Sequence, residues 1–159
     1  MLLYFMRHAE AEGVGENGDV SRQLTEKGVQ RTEEAAAALH AMDLELDLIL
    51  TSPAVRAVQT AEIVAQVLDV PLKHERILGT NLSLDDLEGA LEEHNMQLNV
   101  LLVGHEPDFS VIIGQLIGGG NVEMKKGAIA CVGCQGISKG GGTLRWLMNG
   151  KLLSMIGEA

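Results

Sequence analysis

The apolar positions of this chain fall into two patterns that alternate from one end to the other. Predominantly apolar runs too short for helices, at residues 2–6, 46–50, 98–103, 128–134 and 143–149, predict strands, and a weaker run at 72–78 predicts a short edge strand. Between them, apolar or small residues recur every three or four positions. Leu24, Gly28, Thr32, Ala35, Leu39 and Met42 predict a helix over 25–42, with Thr25 as its N-cap and Glu26 in its first turn. Ser52 and Pro53 predict the start of a second helix whose buried face is Ala54, Val58, Ala61, Ala65 and Leu68, and Asp69-Val70-Pro71 ends it. A short acidic helix is expected over 83–94. A strongly apolar one opens at Pro107, continues through Phe109, Ile112, Ile113, Leu116 and Ile117, and stops at Gly118-Gly119-Gly120. Strands and helices in alternation predict a layered α/β domain.

Two stretches lack either period. Residues 9–23 are acidic and glycine-containing, and read as a loop over the end of the first strand, the kind of segment that carries function. Gly136 to Gly142 reads as a hairpin connection. It is not a phosphate loop, because it lacks the G-x-x-x-x-G-K-[ST] spacing and no helix follows directly.

Composition narrows the possible functions. A length of 159 residues with 46% apolar content fits one domain, 1–159, with a sizeable core. A formal net charge of −10 argues against nucleic acid or an anionic membrane as partner, since both reward basic surfaces. Scattered carboxylates also slow small polyanions, which favours a substrate presented on a protein, one with a basic face. The first strand begins at once, with no basic segment followed by a long apolar stretch, so a soluble cytoplasmic protein is expected. The two cysteines, Cys131 and Cys134, form a C-x-x-C in a strand-like segment. Residues three apart on a strand face opposite sides, so the pair is expected to be two small apolar fillers and neither a redox motif nor half of a zinc site.

The candidate chemistry lies where apolar strands stop. Leu2 to Met6 runs into Arg7-His8, Leu48 to Leu50 into Thr51-Ser52-Pro53 with Arg56, and Val100 to Val103 into Gly104-His105-Glu106-Pro107. Ligands of open α/β sheets bind outside the carboxyl ends of the strands, so these junctions can share one crevice. Guanidinium groups recognise phosphate oxygens through paired hydrogen bonds, and a neutral imidazole can attack phosphorus.

These residues resemble the histidine phosphatase superfamily, also called phosphoglycerate mutase-like, and within it the short SixA-type phosphohistidine phosphatases. The carriers are Arg7-His8-Ala9, Ser21 to Gly28, Thr51-Ser52-Pro53 with Arg56 and Gln59-Thr60-Ala61, and Val103 to Pro107. The resemblance implies a three-layer α/β/α sandwich with a mostly parallel central sheet. It also implies a metal-independent phosphatase without a cofactor, in which His8 is the nucleophile and Arg7, Arg56 and His105 surround the transferred phosphoryl group. His105 is expected to donate as an imidazolium, and Arg22 matches a further phosphate contact. His40, His74 and His94 are expected at the surface. Many relatives place a carboxylic acid after the third strand to protonate an alkoxide leaving group, whereas Arg76 to Leu82 contains none. An imidazole leaving group needs no such acid, because its conjugate acid has a pKa of about 6.5. The implied substrate is therefore a phosphorylated histidine on a signalling protein such as a phosphotransfer domain. The alternatives are a small phosphoester, with Glu10, Glu12, Glu75 or Glu106 recruited as acid, or a noncatalytic phosphate-binding module.

Overall fold

The structure is a computed structural model that describes residues 1–95 and 99–159. Six strands form one sheet: β1 (Leu2–Arg7), β2 (Leu48–Thr51), β3 (Leu72–His74), β4 (Val100–Gly104), β5 (Ile129–Cys134) and β6 (Gly142–Met148). Their spatial order is β3-β2-β4-β1-β5-β6. The pairings β3/β2, β2/β4 and β4/β1 are parallel, while β5 is antiparallel to both neighbours. Only β5 therefore opposes the rest, and the sheet is mixed but mostly parallel.

Helices cover both faces because the central strands are apolar on both sides. Leu3, Phe5, Leu50, Val100 and Leu102 face a layer built on α3 (Leu84–Glu93) and α4 (Asp108–Leu116). Tyr4, Met6, Ile49, Leu101 and Val103 face α1 (Glu26–Ala41), α2 (Val55–Leu68) and α5 (Gly150–Glu158). Cys131 joins the second cluster and Cys134 the first, so the two thiols lie on opposite faces of β5, both free. Burial raises both thiol pKa values, that of Cys134 to about 11, which leaves them as protonated fillers.

Most elements fall where the pattern puts them. Thr25 caps α1 by accepting from the Gly28 N–H, and Ser83 caps α3 by accepting from Asp86. Four expectations change. The 72–78 segment forms only the three residues of β3, and Arg76–Leu78 turns into a 3₁₀ segment that drops Leu78 into the core. The buried face of α2 is Ala57, Ala61 and Val64 with Arg56 and Thr60, rotated from the predicted stripe. The Ser-Pro lead-in stands outside α2, whose N-cap is Ala54. Helix α5 follows β6 without having been predicted. Leu98, the expected start of β4, lies outside the described residues.

Candidate active site

The carboxyl ends of β1, β2 and β4 lie side by side in the sheet, so the segments that follow them meet. In β1 and β4, Arg7 is in register with Gly104, and the His8 N–H donates to the Gly104 carbonyl at 3.1 Å. Gly104 is required by packing. A Cβ there would come within 2.7 Å of the Phe109 ring, which stands edge-on to Phe5 with centroids 5.3 Å apart. Two connections, 52–54 and 105–107, are too short to carry an inserted cap.

Arg56 organises the site. Its Nε–H donates to His8 Nε2 at 3.2 Å and its Nη2–H to His105 Nδ1 at 3.4 Å. A guanidinium cannot accept, so both receiving nitrogens carry lone pairs, and the proton of each neutral ring sits on the other nitrogen. The His8 Nδ1–H donates to the Ala9 carbonyl at 2.7 Å, and the His105 Nε2–H to Ser52 Oγ at 2.7 Å. The two rings lie 5.3 Å apart between centroids. Burial lowers both imidazoles to about 4, with neighbouring cations adding to the effect, so both are neutral at pH 7. In the free protein, desolvation and the adjacent Arg56 charge disfavour the imidazolium at His105 that is expected when phosphate is bound.

Arg7 approaches the site from β1. Its Nη1–H donates to the Met124 carbonyl at 3.0 Å, and its Nε is buried with no hydrogen-bond partner. Arg22 stands further out. It donates to the Glu12 carbonyl at 2.6 Å and pairs with Asp19 at 3.0 Å, and it does not line the crevice.

Asp19 was not anticipated. It links the two arginines, since Arg56 donates to its carbonyl at 2.9 Å and to its carboxylate at 3.2 Å, and its carboxyl pKa is lowered mainly by the hydrogen bond from Arg22. The signal was present only as an acidic residue in an unpatterned loop. Ser52, expected as a helix cap, orients His105 and accepts from the Ala54 N–H. The crevice has a volume of about 420 Å³, and a further guanidinium, Arg76, lines it beside Arg56 and His105. Arg76 belongs to the acid-free segment 76–82.

The carboxylates divide by place. Glu106 and Asp108 line the crevice, but Asp108 accepts from the Leu82 N–H and Glu106 is held by the Ser110 N–H and hydroxyl. Burial raises the Glu106 pKa. Glu75 instead pairs with His94 at 3.6 Å outside the crevice, so His94 is half-buried and partnered, unlike the exposed His40 and His74. With Glu93, these two form a cluster whose ligand atoms lie within 4.8 Å of one another. No helix among the described residues is long and apolar enough to cross a membrane.

Comparison with known proteins decides the family. The histidine phosphatase superfamily (branch 1) pattern matches residues 3–90, more than half of the chain. The chain belongs to the histidine phosphatase superfamily. An uncharacterised protein of Picosynechococcus sp. is 37% identical over 142 residues, covering 81% of this chain and 82% of the relative. The phosphohistidine phosphatase SixA of Escherichia coli is 29% identical over 156 residues, 94% of each chain. The solved structure of the protein histidine phosphatase SixA complexed with tungstate superposes with a TM-score of 0.86 at 27% identity, covering 96% of this chain and 99% of the other. An alpha-ribazole phosphatase from Shigella flexneri shares the fold at a TM-score of 0.72 and 20% identity, over 94% and 97% of the two chains. The chain is thus a histidine phosphatase superfamily member of the SixA type, with the fold of that group.

Proposed function

We propose that this protein removes the phosphoryl group from a phosphorylated histidine on a signalling protein, using His8 as the nucleophile and no metal. The observation that carries the reading is the state of His8: neutral, with its Nδ1–H held by the Ala9 carbonyl and its Nε2 lone pair facing the guanidinium of Arg56. Attack by this lone pair forms the Nε2–P bond as the N–P bond of the substrate breaks, and the substrate imidazole leaves with the bonding electrons and takes up a proton. Water then displaces His8 from phosphorus and releases phosphate.

Arg56 is placed to turn from the two imidazoles to the phosphoryl oxygens. The unpartnered Nε of Arg7 is a buried donor of the kind an anionic oxygen would satisfy. A phosphate dianion in the crevice would raise the pKa of His105 and allow it to donate. Arg22 acts through Asp19, holding the carboxylate that shares Arg56. Likeness to SixA over nearly the full chain supports the phosphohistidine substrate, as do the short connections around the crevice.

One observation favours the second reading, a phosphatase for small phosphoesters. Glu106 lines the crevice with its pKa raised by burial, which is the state a general acid requires. The test is phosphate release from a phosphohistidine-bearing phosphotransfer domain beside p-nitrophenyl phosphate and a sugar phosphate, with Glu106→Gln and a chelator as further arms. The proposal expects strong preference for the phosphoprotein, a change of less than about threefold in Glu106→Gln, and no effect of the chelator. Preference for an ester that collapses in Glu106→Gln would establish the second reading instead.

A further inference from the structure

Against a chain charge of −10, one cavity has the opposite sign. Of about 470 Å³, it lies between α1, the start of α5 and the 125–127 segment, and Lys27, Arg31, Lys125, Lys126 and Lys151 line it. Only two acids, Glu10 and Glu158, share the wall, so the lining carries three more positive than negative charges. Arg31 is occupied, donating to Ser154 Oγ at 2.6 Å and lying 3.5 Å from Glu34. Among the described residues, no ion pair engages any of the four lysines.

The four lysines are exposed, so their ammonium groups stay solvated while together they keep the concavity positive. The N-terminus of α5 adds to the same field, because Asn149, Gly150 and Lys151 are all part of the lining. Met6, Ala35 and Met155 contribute apolar wall, which can take an organic group beside a charged one.

The cavity is not the crevice. Arg56 and His105 do not line it, and the two share only the backbone around His8. Ala9 and Glu10 line the cavity, and the Gly127 N–H donates to the carbonyls of Arg7 and His8, each at 3.1 Å.

We propose that this cavity binds a chain of linked phosphates, free or as part of a nucleotide. Four lysines spread around a concavity suit several phosphoryl groups in a row better than one phosphate, which the arginine and histidine crevice already accommodates. The inference is independent of the phosphohistidine reading, since it rests on a different set of residues.

The test titrates the full chain with inorganic tripolyphosphate and, separately, with ATP, following backbone amide shifts and affinity. Shifts at Gly127, Gly150 and Lys151 are expected. The triple variant Lys27→Gln/Lys126→Gln/Lys151→Gln should lose at least tenfold in affinity at an unchanged melting temperature, while a control, Lys73→Gln/Lys139→Gln, keeps it. Tighter binding of ATP assigns the apolar wall to the organic group, and tighter binding of tripolyphosphate assigns the site to the chain alone. Shifts confined to Ser52, Arg56 and His105, or equal losses in the triple variant and the control, would overturn the proposal.

Discussion

At the scale of single residues, the site turns on a cation that holds two neutral bases. Arg56 fixes the tautomers of His8 and His105 at once, because each ring must present a lone pair to a donor that cannot accept. Arg56→Ala should therefore lower kcat/KM by at least about 10²-fold, through loss of phosphoryl charge stabilisation and of the tautomer. Steady-state kinetics on a well-folded variant measures this, and a loss of less than tenfold would contradict it. The low pKa of His8 gives a second prediction. The proposed nucleophile is the neutral form of His8, and acidification removes it only as pH falls through about 4, so kcat/KM should stay level down to about pH 5 once the substrate's own titration is divided out. A decline centred near 6.5 would mean that the ring is solvated and ordinary. Arg7, His8, Arg56 and His105 stood out in the sequence through the strand-end junctions taken together with the family resemblance, and the structure brings His8, Arg56 and His105 into hydrogen-bonding contact. Asp19 and Arg76 were not, since each depends on how a loop folds back over the sheet, which no local spacing encodes.

At the scale of elements, the strands were easier to read than the helix faces. A buried parallel strand is apolar throughout, so its presence alone decides the reading. Helix α2 is apolar around much of its circumference, and its orientation is set by Arg56 and Thr60 turning toward the site, where Thr60 Oγ1 accepts from the Ala9 N–H at 3.3 Å. Helix α5 carries glycine at both ends, which lowers its intrinsic propensity, yet Gly157 lets it lie directly on the α1 backbone at Glu34. The 72–78 segment shows the same limit: its apolar run is shared between a three-residue strand and a turn that buries Leu78. The junction of β4 and α4 makes a sharper prediction. Gly104→Ala forces a methyl group against the Phe109 ring, which is itself held by Phe5, and should cost about 1–3 kcal/mol in denaturant unfolding. The same variant should also displace His105 and lower activity, while an unchanged unfolding midpoint would show that the ring has room to move.

At the scale of the whole molecule, the sheet brings three strand ends together; the connections after β2 and β4 are too short to cover them, and the 8–25 loop after β1 brings Asp19 to Arg56. A crevice lined by Arg56, Arg76 and His105, with the neutral His8 buried beside Arg56, suits a phosphoryl group presented on another protein. The overall charge of −10 suits a partner with a basic face, while the lysine-lined cavity behind His8 concentrates positive charge where an anion can reach it. The central claim is that His8 itself receives the phosphoryl group. Incubation with a phosphotransfer domain labelled at its phosphohistidine, quenching in alkali and mapping of the labelled peptide tests it most directly. Label on His8 that is alkali-stable, acid-labile and absent from His8→Ala is the predicted result. Rapid phosphate release with no label on His8 at any time, or turnover retained by His8→Ala, would contradict it.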